Sequence, residues 1–301
     1  MHRIILRNTA LSVSRIGLGT GTSGFTGEII QASMGVRELA EILLYGFDKG
    51  INFWDTAYTY GTYRHMAAAL AQVKREEVVI CSKFSSVVYR NVKREIEETL
   101  KELRTDHIDI GLVHVIRSSF ELRVRDGALR ALIEAKQKGS IRYVGLSSHG
   151  LGALEAAIEN QAIELVYGRL NHLGAYMDSW QEDIISRLVA IPFTKVAARA
   201  LIPRRFLHSI SAQIEPSKVD IKTMKTAEGL FKKLNDYGKS VVAVKVIGAG
   251  TISDKEDSVR ESLSYVLAND SISSAIIGIT SKEEIDRLLK HYNEFCGSRL
   301  K

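Results

Sequence analysis

Apolar positions along the chain alternate between two periods. Short β-branched runs lie near Ile16–Gly19, Ile51–Asp55, Val78–Lys83, Ile108–His114, Ile141–Ser147, Ile163–Tyr167, Val241–Val246 and Ser274–Ile279, and they predict strands. Helical stripes fall between them. Val92, Ile96, Leu100 and Leu103 step by 4, 4 and 3 residues and so share one face. Leu39, Ile42, Leu43 and Phe47 form another stripe with Gly50 as its stop, and Met224, Ala227, Leu230, Phe231 and Leu234 a third, closed by Gly238. Two more run through Val259, Leu263, Val266 and Leu267, then Ile285, Leu288, Leu289 and Tyr292. Ahead of the first strand, Arg3–Leu6 and Leu11–Val13 predict a small hairpin around Arg7-Asn8-Thr9.

Eight strands alternating with helices predict an α/β chain folded as a (β/α)8 TIM barrel, one domain over residues 1–301. Strands begin near 16, 51, 78, 108, 141, 163, 241 and 275, so six of the seven intervals are 22 to 35 residues and the sixth-to-seventh is 78. That interval holds roughly 40 residues beyond one barrel unit, an insertion at about 179–219 between strands 6 and 7. All three prolines, Pro192, Pro203 and Pro216, fall inside it. Proline fixes φ and removes a donor, so it suits an irregular connection. An insertion at this barrel face would lie over the mouth as a substrate-shaping lid, or serve as a solvated connector or subunit contact; the sequence leaves these open.

Composition narrows the function classes. At 45% hydrophobic and 25% charged the chain is an ordinary globular one, which excludes disordered and fibrous classes. The net charge of +6 comes from scattered Lys and Arg, so no nucleic-acid partner is expected, while a phosphate-bearing cofactor suits it. Cys81 and Cys296 are too few for a disulfide framework and no metal-ligand spacing occurs, so no metal is expected. His65, His172 and His208 share no ligand spacing and read as structural or surface residues. Residues 1–10 lack the apolar stretch of a signal peptide and no apolar run approaches membrane-spanning length; the expectation is a cytoplasmic protein with no membrane partner. The oligomeric state is not legible.

A dinucleotide fold is the rival reading, because Gly19-Thr20-Gly21-Thr22-Ser23-Gly24 fits G-x-G-x-x-G after a strand and Asp55 ends the next strand. Its context fails. The motif should open a helix facing the pyrophosphate, but Phe25-Thr26-Gly27-Glu28 follows and the next helical pattern starts near Val36. Asp55 lies 31 residues past Gly24, against about 20 in that motif.

In a barrel of this kind, polar residues at strand C-terminal ends read as catalytic. The second strand runs into Asp55-Thr56-Ala57-Tyr58-Thr59-Tyr60, the third ends on Lys83, the fourth on His114 and the fifth on Ser147-Ser148-His149. An Asp, a Lys, a Tyr and a His thus converge on one mouth. A buried Lys and Asp are costly unless paired, and a Lys cation beside a tyrosine favours the phenolate.

The segment Gly50-Ile51-Asn52-Phe53-Trp54-Asp55-Thr56-Ala57-Tyr58-Thr59-Tyr60-Gly61 resembles the signature of the aldo-keto reductases. Val13–Thr20 and Val144–Ser147 resemble the same family, and the resemblance covers the chain apart from about 179–219. It implies a (β/α)8 barrel, a nicotinamide cofactor, a small-molecule carbonyl substrate and a tetrad of Asp55, Tyr60, Lys83 and His114. Tyr60 would protonate the carbonyl oxygen, Lys83 held by Asp55 would lower the Tyr60 pKa, and His114 would orient the carbonyl. For the cofactor, the resemblance implies Gly19 and Thr20, Ser147 and Ser148 at the carboxamide, and Tyr167 where many members carry Gln. Gly248 and Gly250 follow the seventh strand, where barrels often bind phosphate, and are assigned to the pyrophosphate, with a plain glycine turn as the alternative. The family includes members with a Lys in a Met-Lys-x-x-Gly pattern there, which implies a cofactor or structural role for Lys245, and the resemblance implies Thr280 and Ser281 at the adenosine 2′-phosphate. Lys245 could alternatively be a Schiff-base nucleophile. Glu284 and Leu288 stand where the family has further phosphate contacts, and Ser281 with Glu284 also forms a helix capping box. NADP follows from family habit, with NAD open. A non-catalytic nicotinamide-binding barrel is the alternative function, against which the intact tetrad argues.

Overall fold

Strand residues of alternate parity have two different destinations, and this sorting builds the architecture. The computed structural model describes residues 1–22, 28–174, 221–248 and 255–299. The predicted insertion with its three prolines, His208 and Gly250 lie outside the described residues. Strands β1 (Arg3–Ile5) and β2 (Ser12–Ser14) form an antiparallel hairpin. Strands β3 (Ile16–Gly19), β4 (Phe53–Asp55), β5 (Val79–Phe84), β6 (Ile108–Ile116), β7 (Ile141–Ser148), β8 (Leu165–Arg169), β9 (Ser240–Val244) and β10 (Ser274–Gly278) pair in parallel in chain order, and β10 closes on β3. The chain is the eight-stranded parallel barrel that its spacing predicts.

One parity packs outward. Leu18, Trp54, Ile80, Val144, Val166, Val241 and Ile277 meet the apolar stripes of the surrounding helices in one continuous cluster. The predicted stripes are on helices Val36–Asp48, Tyr89–Leu103, Ile221–Asp236, Glu256–Ala268 and Lys282–Arg299. Gly50 ends the first of these with φ +89°, where its successor Ile51 donates back to the Gly46 carbonyl at 2.9 Å. The other parity packs inward: Phe53, Val79, Cys81, Ile110, Leu112, Leu165, Tyr167, Val242 and Ile276 fill the barrel, together with Leu6, Leu11 and Val13 of the hairpin.

The hairpin closes the N-terminal end. The Ala10 N–H donates to the Tyr143 hydroxyl at 2.9 Å, and the Arg7 N–H donates to Ser240 Oγ at 2.6 Å. Asn52, part of the family-like segment, serves the fold: its Oδ1 accepts from the Ser14 N–H at 2.8 Å and its Nδ2 donates to the Ser12 carbonyl. Asp55, Lys83 and His114 lie toward the opposite, C-terminal end of their strands. Strand boundaries differ from the predicted ones at two places that matter. The sixth barrel strand ends at Arg169 rather than Tyr167, and the seventh ends at Val244, leaving Lys245 just beyond it. Propensity runs set strand existence, while hydrogen-bonded partners set the ends.

Candidate active site

Following the inward parity up each strand, the last apolar residue gives way to a polar one two positions on: Phe53 to Asp55, Cys81 to Lys83, Leu112 to His114, Tyr167 to Arg169. Ser147 holds the same level on β7, opposite Tyr167 of β8 in register. The mouth is therefore a polar layer resting on an apolar plug.

Lys83 is its centre. The ammonium donates to Asp55 Oδ2 at 2.5 Å and to the Thr56 carbonyl at 2.8 Å, with both side chains about 5% exposed or less. Burying either ion alone costs several kcal/mol, so the pair persists because each desolvated charge has the other. Burial pushes the Asp55 carboxyl above its usual value against the Lys83 charge. Burial lowers the Lys83 pKa but the adjoining Asp55 carboxylate more than offsets it, so the net shift is upward and Lys83 stays charged at neutral pH.

Tyr60 ends a single 3-10 turn, Tyr58–Tyr60, which Gly61 terminates at φ +73°. Lys83 Nζ lies 4.9 Å from the Tyr60 ring centroid, and the His114 ring meets Tyr60 edge-on with centroids 5.9 Å apart. Burial raises the Tyr60 pKa, Lys83 lowers it and Asp55 raises it, and the net direction is upward. The Lys83 influence thus has the expected sign, but burial outweighs it.

Gly21 makes room for that ring. A Cβ on Gly21 would stand 2.1 Å from Tyr60 Cε2, a separation side chains do not tolerate. Gly21→Ala is expected to displace the Tyr60 hydroxyl and lower kcat about 100-fold, the scale of a 1 Å misplacement, with the circular dichroism spectrum unchanged. Activity within a factor of two of the parent would show that the hydroxyl position is not set here.

His114 sits on an irregular strand. Between Val113 and Ile116 the pairing of β6 with β7 shifts register, and Val115 has φ +57°, an outlier for a β-branched residue. Such bulges re-aim side chains beside active sites. His114 Nδ1 is 3.1 Å from Ser85 Oγ. Arg125, reaching in from helix Asp126–Gln137 at its start, donates to the carbonyls of His114 at 2.9 Å and Ser85 at 3.2 Å and to Glu121 Oε1 at 3.1 Å. It braces the ends of β5 and β6 together.

Burial and the charges of Lys83 and Arg125 hold His114 well below the usual imidazole pKa. Burial with Arg169 does the same to His149, whose Nδ1 accepts from Arg169 Nη2 at 2.5 Å. Both rings are neutral in the folded chain. The unfolded chain takes up these protons below about pH 6.5 and the folded one does not, so stability is present above that pH and lost as pH falls, by about 2–3 kcal/mol per unit for the two groups. His149→Gln is expected to remove about half of that slope in urea titrations between pH 7 and 5; an unchanged slope would rule His149 out as a source.

The Asp, Tyr, Lys and His of the family-like segments are thus gathered on one barrel mouth. The sequence also matches the Aldo/keto reductase family over residues 15–182, more than half of the chain. The chain belongs to that family. It is 31% identical to the "Probable aldo-keto reductase 1" of Glycine max over 157 residues, 47% of this chain and 43% of that one. Against the L-galactose dehydrogenase of Arabidopsis thaliana it is 24% identical, with 95% of this chain and 87% of the relative covered. Among solved structures, the holo form of aldo-keto reductase AKR11C1 from Bacillus halodurans shares the fold with TM-score 0.68 at 18% identity, covering 97% and 91% of the two chains.

Within this family member, the residues expected at the cofactor are placed unevenly. The Ser147 side chain is buried at the polar layer and makes no hydrogen bond among the described residues, leaving a hydroxyl for a carboxamide. Ser148 spends its hydroxyl on the Gly150 carbonyl at 2.8 Å. Gly19 packs against Ile276 and Gly278 at the end of β3. The Thr20 hydroxyl is fully buried between the Asp55 carbonyl and Thr62 Oγ1. Tyr167 packs inside the barrel and is buried, its ring centroid 5.6 Å from Lys83 Nζ. Lys245 and Gly248 form the turn after β9, closed by the Gly248 N–H on the Lys245 carbonyl at 2.9 Å. Thr280 gives its N–H and hydroxyl to Glu284 Oε2 at 2.6 and 3.1 Å, and Ser281 Oγ caps the Glu284 N–H.

Sequence reasoning missed Arg169, Arg125 and the role of Gly21. Arg169 has a signal, the strand parity that runs two residues past Tyr167. Arg125 has only the helix-start pattern Ser118-x-x-Glu121 that positions its partner.

Proposed function

We propose that this family member is a single-domain, NAD(P)H-dependent carbonyl reductase that converts an aldehyde or ketone to an alcohol. The observation that carries the reading is Lys83, which joins the Asp55 carboxylate to the Tyr60 ring with the neutral His114 facing the same ring. A bound nicotinamide would supply the hydride to the carbonyl carbon. Tyr60 Oη then gives its proton to the carbonyl oxygen as charge develops there. Lys83 stabilises the phenolate left behind, and Asp55 keeps Lys83 in place and charged. In the tautomer in which the Ser85 hydroxyl donates to Nδ1, His114 carries its proton on Nε2 and donates it in a hydrogen bond that orients the carbonyl. In the oxidation direction Tyr60 takes the proton back.

Among the described residues, Ser147 fits the carboxamide end of the cofactor, while Gly19, Thr20, Ser148, Tyr167, Lys245, Gly248, Gly250, Thr280 and Ser281 remain the contacts that the family resemblance proposes. The 2′-phosphate end fits less well, since Glu284 already occupies both Thr280 donors. NADP is the family's habit, yet a phosphate here would meet a carboxylate. NADH is therefore expected to bind at least as tightly as NADPH in fluorescence titrations. Glu284→Gln should tighten NADPH about tenfold relative to NADH; an unaltered ratio would remove Glu284 from the choice. No described helix is long and apolar enough to cross a membrane. The proposed location is the cytoplasm, on the ground that two cysteines suit a reducing compartment.

The proposal is tested by oxidation of NADH and NADPH with a reactive aldehyde such as 4-nitrobenzaldehyde. Turnover supports it. Tight cofactor binding with no turnover would favour the non-catalytic barrel instead.

A further inference from the structure

His114 stands where the sheet stops holding its strand on both sides. The register pairs of β5 with β6 end at Phe84 and Val113, and β6 leaves register with β7 between Val113 and Ile116. The next residue, Val115, has φ +57°. A side chain on such a bulge is aimed by whatever replaces the ladder.

Arg125 is that replacement. It lies at the junction of helix Ser119–Val124 with helix Asp126–Gln137. One nitrogen, Nη1, donates to the His114 carbonyl at 2.9 Å and the Ser85 carbonyl at 3.2 Å, and these are the residues directly after the last β5–β6 pair. The side chains of the same two residues meet as well, with Ser85 Oγ 3.1 Å from His114 Nδ1. Residues 85 and 114 are therefore joined twice, through their carbonyls by one guanidinium and through their side chains directly. The guanidinium is itself fixed. It is buried, and its Nη2 donates to the buried Glu121 Oε1 at 3.1 Å. Glu121 in turn accepts the Arg117 N–H at 2.9 Å, and its own N–H is capped by Ser118 Oγ at 3.1 Å. A buried ion pair is weak evidence for stability, and this one meets the backbone at the proposed active site.

The neutral His114 ring carries one proton, on Nδ1 or on Nε2. The Ser85 hydroxyl makes no other hydrogen bond among the described residues. Were Nδ1 protonated, that hydroxyl would accept from it and its own proton would have no described acceptor. With Ser85 donating to Nδ1 both groups are satisfied, and the ring proton stands on Nε2.

We propose that Ser85 and Arg125 are positioning residues for His114: Arg125 fixes the two strand ends against each other, and Ser85 then holds the imidazole in the tautomer with its proton on Nε2. The proposal takes its purpose from the carbonyl-reductase reading, in which that proton is the one donated to the substrate oxygen. Neither residue takes part in the proton transfer.

The test reads the ring itself, by two-bond proton–nitrogen correlation spectra of isotopically labelled protein, with the His114 signals assigned by their absence in His114→Gln. The parent should show a bare Nδ1 and a protonated Nε2. Ser85→Ala should mix the two tautomers and lower kcat for 4-nitrobenzaldehyde about fivefold to tenfold, the scale of one hydrogen bond, with the NADH dissociation constant unchanged. Ser85→Thr keeps the hydroxyl and should restore both. Arg125→Met should also mix the tautomers and lower kcat about 100-fold, the scale of a 1 Å misplacement. A parent ring protonated on Nδ1 overturns the proposal. So does a ring spectrum unchanged in Ser85→Ala and Arg125→Met, even where kcat or melting temperature falls, because Arg125 would then be a structural brace alone. Should Arg125→Met not fold, the contrast between Ser85→Ala and Ser85→Thr decides. Should the parent reduce no aldehyde, the reductase reading fails on its own and the ring spectra still decide whether these residues set the tautomer.

Discussion

Tyr60→Phe is expected to lower kcat for 4-nitrobenzaldehyde by about 10²–10⁴-fold, the range of a positioned general acid, with the cofactor dissociation constant and melting temperature near those of the parent. Only the Oη atom is lost. The ring that packs against His114 and lies near Lys83 remains, so the mouth keeps its shape. No other group there is as well suited. Lys83 is held charged by Asp55 and is committed to it and to the Thr56 carbonyl, and His114 is neutral and serves as a hydrogen-bond donor. Burial raises the Tyr60 pKa and Lys83 opposes the rise, so the hydroxyl is protonated at neutral pH and its phenolate is stabilised by a neighbour once the proton leaves. Full activity in the Phe variant would move the proton donor to another residue.

Lys83→Met carries the second large effect, and on stability as well as activity. It leaves the Asp55 carboxylate desolvated beneath the mouth, with Oδ1 already lacking a hydrogen-bond partner. Removing one partner of a buried pair costs about 3–5 kcal/mol. The double variant Asp55→Leu, Lys83→Met removes both charges and should recover much of that loss in urea unfolding, because contacting residues are not additive. It should nevertheless stay inactive, since nothing then supports the Tyr60 phenolate. Additive destabilisation would mean that the two residues do not depend on each other for burial. A stable and active double variant would reduce the pair to a structural brace.

The barrel was legible because each strand–helix unit repeats the same alternation of periods, and eight repeats outweigh the ambiguity of any one run. Asp55, Lys83 and His114 were legible for a related reason: each is a polar residue ending a β-branched run, where burial needs a purpose. Tyr60 was legible by its spacing from Asp55. What stayed hidden depends on contacts between distant segments. Gly21 is visible as glycine, but the ring it admits is 39 positions away in sequence. The direction in which Tyr167 packs is set by strand parity, which puts it with the barrel-interior cluster. Arg169 and Lys245 change meaning with a two-residue shift in where β8 and β9 end, a displacement that propensity cannot fix. Arg125 acts on His114 from a neighbouring helix, through carbonyl groups that carry no sequence signature.

In the proposed reaction hydride passes directly to a carbonyl held at Tyr60 and His114. The most direct measurement uses NADH deuterated at both C4 positions, with 4-nitrobenzaldehyde as acceptor and mass spectrometry of the alcohol. One deuterium on the carbinol carbon, and its loss of accumulation in Tyr60→Phe, is the predicted result. Cofactor that binds but yields no deuterated alcohol would contradict direct hydride transfer at this site.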